Sequence, residues 1–88
     1  MQTLKVDFIN GDFSSKEALE ILSQVYAHKI RFHELKNFSH IERFGTTDKT
    51  SLKRIKELKR SIKHINTHLK RAQKQSIYIQ SDITLTIT

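Results

Sequence analysis

The chain has no cysteine, no proline and no tryptophan, and it has only two glycines. Without cysteine there can be no disulfide, no thiolate–metal centre and no thiol nucleophile. Without proline nothing breaks a helix from inside, so helices end where a cap or a loss of periodicity ends them. Gly11 and Gly45 are too few for a glycine-rich phosphate loop, and no nucleophile elbow is present. Long apolar runs are missing as well: no stretch approaches a membrane span, and Met1–Asp7 lacks the apolar centre of a secretory signal. A cytoplasmic location is the expectation.

Negative charge is scarce in one region above all. Between Lys49 and Lys74, ten Lys or Arg side chains face a single acid, Glu57, for a local net of +9. Residues 1–48 have a net charge of −1 and Asp82 adds one more negative charge, so this segment supplies the whole of the chain's +7. A charge of this kind favours polyanionic partners such as nucleic acid or an anionic surface.

At 88 residues, 36% of them hydrophobic, the chain is expected to be a single domain, 1–88, with a marginal core. Self-association is one common remedy for a core of that size. Thr3 to Ile9 alternates, with Leu4, Val6 and Phe8 on one side, which predicts a half-buried strand. Asn10-Gly11-Asp12 is turn chemistry and is expected to end it. Ser14-Ser15-Lys16-Glu17 is a capping box, and Ala18, Leu19, Ile21, Leu22, Val25, Tyr26, Ile30, Phe32 and Leu35 then form a broad helical apolar face. That helix should run to about Phe38, with one further turn open over Ser39–Phe44, and Gly45 is the natural stop.

The second helix is expected over Asp48–Lys74. Ile55, Leu58, Ile62, Ile65, Leu69 and Ala72 alternate at three and four residues, a seam suited to one partner helix. From Ile77 to Thr88 the chain is at its most regular, with Ile77, Ile79, Ser81, Ile83, Leu85 and Ile87 on one face and β-branched types dominant, which predicts a strand. The fold class is therefore α+β in the order β-α-α-β: a two-stranded antiparallel sheet covered on one face by an antiparallel helical hairpin. A seven-residue first strand would leave part of the last one unpaired, and only Asp82 guards its edge. This predicts a homodimer or larger assembly through strand 77–88, with the sheet extended by the partner.

The leading candidate site is the helix face opposite the seam. Lys53, Arg60 and Lys74 lie there, flanked by Lys56, Lys63, Lys70 and Arg71. Cations three or four residues apart can track phosphates, whereas an ordinary solvated face mixes signs. The function this implies is a small non-catalytic binding protein for nucleic acid or a ribonucleoprotein surface. The rival is a homo-oligomeric protein–protein assembly module whose basic face only solvates it or docks an acidic partner.

Other clusters carry less. His28 to Phe44 interleaves aromatics with Arg31 and Arg43 and could clamp a single strand. Helical periodicity instead makes Phe32 and Phe38 core and Phe44 a plug for the helix–helix turn, and that is the expectation. His64 and His68 share a helical side at metal-ligand spacing but have no third ligand near in sequence, so no metal is expected. No cofactor and no enzymatic activity are expected either, because Glu17 and Glu20 are explained by the helix dipole and no catalytic constellation stands out.

Overall fold

The computed structural model describes residues 2–88. Strand β1 spans Gln2–Ser14, helix α1 Ser15–Phe44, helix α2 Lys49–Lys70 and strand β2 Ser76–Ile87. The strands pair antiparallel into a two-stranded sheet, and the helices pack against each other and against that sheet. The α+β class and the element order are those the periodicities imply.

Local chemistry sets the element ends. Ser14 caps α1: the Glu17 N–H donates to Ser14 Oγ at 3.1 Å, and the Ser14 N–H donates to Glu17 Oε1 at 2.9 Å. Both bonds of the capping box are thus made, and the strand passes into the helix with no loop. Helix α1 uses the optional last turn and continues to Phe44. There Gly45 takes the left-handed conformation, φ 72°, and donates its N–H to the Ile41 carbonyl at 2.7 Å. Helix α2 stops at Lys70 rather than Lys74, and residues 71–75 form the connection to β2.

The first strand departs most from expectation. Asn10-Gly11-Asp12 is not a turn, because β1 continues through it to Ser14. A bulge between Asp7 and Ile9 explains the misreading. It inserts one extra residue and so shifts the alternation by one. Leu4 and Val6 share the inner face with Leu85 and Ile83 before it, and Ile9, Gly11 and Phe13 take that face with Ser81, Ile79 and Ile77 after it. As a sequence this slip looks like the end of a strand. The register runs from Gln2 opposite Ile87 to Ser14 opposite Ser76, so β2 is paired along its length within the chain. The expected surplus of unpaired strand at 77–88 does not exist, and only the free edges common to any two-stranded ribbon remain. Asp7 faces Asp82 across the ladder next to the bulge, a like-charge pair eased by Lys5 Nζ at 3.9 Å from Asp82.

The core is small and lies between the helices. Ala18 is buried on α1, and Ile55, Leu58 and Leu69 are buried along the seam of α2. The seam turns polar toward the hairpin loop, with Ser51 buried among it. The ribbon and the hairpin leave a common junction like two arms. Close to it, Ile77, Ile79 and Ile9 are half-buried over Leu22, Val25, Tyr26 and Leu69. Farther out the helices no longer cover the sheet: Leu4, Leu85 and Ile87 are more than half exposed, as are Phe32, Leu35 and Phe38 on α1. Phe32 and Phe38 are therefore not core, and Phe44 projects from the hairpin end rather than plugging it.

Leu58 is only 2% exposed at the centre of the seam. Leu58→Ala is expected to lower stability by about 2–5 kcal/mol, read from the urea midpoint. Gly45→Ala meets no atom within 4 Å, so its expected cost of about 1–2 kcal/mol is the backbone penalty for a left-handed residue with a Cβ.

Candidate polyanion interface

Helix α2 owes its two faces to one repeat. Ser51, Ile55, Leu58, Ile62, Ile65 and Leu69 turn to α1, and at 100° per residue the opposite flank receives Lys53, Lys56, Arg60, Lys63 and Lys70. All five are exposed. From Lys53 to Lys70 the flank is about 25 Å long. Thr67 occupies the gap in the row and donates its hydroxyl to the Lys63 carbonyl at 3.0 Å. Among the described residues α2 has a single ion pair, Arg54 to Glu57 at 3.4 Å, with Glu57 at the edge of this flank one turn after Lys53. Among the described residues the flank cations themselves have no carboxylate within ion-pair distance, so their charge is turned to solvent.

Arg71 and Lys74 are both exposed. Arg71 is the C-cap of α2, still right-handed helical at φ −76° and ψ −15°, and about five turns after Lys53 it ends the row on the same side. Lys74 lies in the connection beyond it and borders a depression lined by Asp12, Glu17 and Gln73, so helical spacing does not place it. Two further residues join the row. Lys49, four before Lys53, and Lys59 are exposed on the same side of α2, and the three–four spacing run backward from Lys53 finds Lys49.

The flank is held in place by the hairpin end. Asp48 caps α2, accepting from the Ser51 N–H at 3.2 Å and from the Ser51 hydroxyl at 3.0 Å. Its own N–H donates to Asn37 Oδ1 on α1 at 2.7 Å. His40 donates Nδ1–H to the Thr46 carbonyl at 2.8 Å, which fixes its tautomer because a carbonyl can only accept. The Ser51 N–H above all, with its hydroxyl and the His40 and Lys36 charges, holds the Asp48 carboxyl below the usual carboxylate range, against some opposition from burial. The Ser14 bonds, backbone first, lower that of Glu17 in the same way.

His64 and His68 border an open cleft of about 580 Å³ between α2 and β2, together with Leu22, Ile65, Ile77 and Tyr78. Among the described residues no cluster of three His, Cys, Asp or Glu side chains could hold a metal, and no helix is long and apolar enough to cross a membrane. The aromatic and basic side chains of the α1 end do come together: Arg43 Cζ lies 5.7 Å from the Phe44 ring centre and His40 packs on Phe44 at 4.8 Å. No protein family, no curated protein and no solved structure matches this chain.

Because both cap carboxylates are depressed in the folded chain, the stability they add is complete above the ordinary carboxylate range. It is lost as pH falls through their folded values. Asp48→Asn keeps a capping oxygen and removes the titration. Urea midpoints measured from neutral to strongly acidic pH should therefore fall less steeply for Asp48→Asn than for the wild type.

Proposed function

We propose that the chain is a non-catalytic binding protein that engages nucleic acid, alone or in a ribonucleoprotein, through the exposed flank of α2. The supporting observation is the row Lys53, Lys56, Arg60, Lys63 and Lys70, solvent-facing and without carboxylate partners among the described residues, with Lys49 continuing it. From Lys53 to Lys63 successive cations are about 5 Å apart along the axis, close enough for neighbouring side chains to reach neighbouring phosphates, and Lys70 follows about 10 Å beyond Lys63. Arg71 at the C-cap adds charge at the end of the row, and Lys74 lies in the connection beyond it. The flank has Thr67 as its only hydroxyl between Lys53 and Lys70 and no Asn or Gln. Its base-reading groups are thus cations that pair with guanine alone, so binding rests mainly on the backbone and reads little sequence.

Neutralising four or five phosphates should give log K a slope of roughly −3 to −4.5 against log salt, depending on strandedness. Replacing Lys56, Arg60, Lys63 and Lys70 together by Gln keeps helix propensity nearly constant. That variant should retain its circular dichroism, lose most of its affinity in fluorescence anisotropy and show a shallower salt slope. Absence of binding by the wild type to any single- or double-stranded oligonucleotide at low salt would sink the proposal. The assembly module with a merely solvating or acid-docking basic face would then stand in its place.

A further inference from the structure

The basic flank leaves the largest anomaly of the molecule untouched. The chain exposes 7312 Å² of surface, whereas a compact monomer of 10.4 kDa exposes about 5400 Å². The radius of gyration is 16.2 Å, against about 12 Å for a compact chain of this length. On this open surface apolar side chains are exposed in two places. One is the outer inner-face of the ribbon, Leu4, Val6, Leu85 and Ile87, where a cavity is lined by ribbon residues alone. The other is the outer half of α1, with Phe32, Leu35 and Phe38. Both arms start from the junction at Ser14–Ser15, and Leu85 and Leu35 each lie roughly 30 Å from it along their own elements.

We propose that a second copy of this chain covers these faces, each chain laying its apolar arms into the opening of the other, so that the stable folded unit is a homodimer with a shared core. Four observations favour a copy over a different protein. The surplus of roughly 1900 Å² per chain matches what one partner buries in an obligate homodimer, which takes 2,000–5,000 Å² or so in all. The fully buried apolar core, Ala18, Ile55, Leu58 and Leu69, is too small for a stable domain, so the missing apolar cover must be present whenever the chain is. A twofold pairing uses both faces of both chains and leaves none over. Lastly, residues 1–48 and 75–88 each have a net charge of only −1, so two copies can meet there without bringing the +9 segments together. This pairing is face to face and differs from edge extension through β2. It holds whether or not the basic flank binds nucleic acid.

Sedimentation velocity and concentration-dependent melting of the wild type, Phe32→Glu, Leu85→Glu and Thr84→Glu test it. The wild type should sediment at twice the 10.4 kDa chain mass at micromolar concentration, with a Tm that rises with protein concentration. Phe32→Glu and Leu85→Glu should each weaken dimerisation by about 30-fold or more. Thr84→Glu, on the outer face of the same ribbon, should leave it within about threefold of the wild type, as a rim substitution does. Phe32 and Leu85 are already 61% and 56% exposed in the isolated chain, so a glutamate at either removes little packing within a monomer. Melting of either apolar-face variant counts for the shared core when Thr84→Glu stays folded, and against it when Thr84→Glu melts as well. A wild type that is monomeric with a concentration-independent Tm overturns the proposal. So does a dimer indifferent to both apolar-face substitutions, which would place association at the strand edge or elsewhere.

Discussion

Everything else in this fold is hung on the contact between α1 and α2. Among the described residues, the apolar side chains most fully withdrawn from water are on these two helices: Ala18 on α1 and Ile55, Leu58 and Leu69 on α2. The seam fixes the roll of α2, and the roll decides which side chains face outward. The same three–four repeat that buries Ile55 and Leu58 thus turns Lys53, Lys56 and Arg60 to solvent. The ribbon depends on it too, since a lone pair of strands is marginal and gains its support from the half-buried contacts near the junction.

Much of this was legible because it is local. The seam of α2, the Ser14–Glu17 capping box and the stop at Gly45 each depend on residues within a turn or two of one another, and each appears where the spacing places it. The bulge before Ile9 was not legible. A one-residue slip of phase mimics a strand end, and only the register with β2 tells the two apart. The exposed phenylalanines were hidden for another reason. Periodicity says that Phe32 and Leu35 share a side of α1, but it does not say whether anything in the same chain reaches far enough to cover that side.

The site divides along the same line. Placement of Lys53 to Lys70 opposite the seam follows from helical arithmetic, which reaches Arg71 at the C-cap and no longer applies to Lys74 because the helix ends before it. The polar end of the hairpin was missed. Asn37 and His40 stand three apart and continue the spacing of Ile30 and His33 along the side of α1 that meets α2. A seam that changes from aliphatic to hydrogen-bonding residues without losing its period marks a cap-and-loop network, here Asn37 to Asp48 and His40 to Thr46. It also explains how a short connection can hold the two helices in register where few apolar contacts are available.

The absence of any loop between β1 and α1 has a mechanical meaning. Ser14 is at once the last strand residue and the helix cap, at φ −68° and ψ 160°. The angle between ribbon and helix is thus set at one residue, braced by the Glu17 bonds and by a 3.4 Å contact from Ser15 Oγ to the Gln73 carbonyl. Each arm is a lever of about 40 Å. A change of about 10° at that joint would displace the far end of the ribbon by about 7 Å, roughly one and a half strand spacings. The capping box is therefore the bearing on which the span between the arms is set, as well as a helix start.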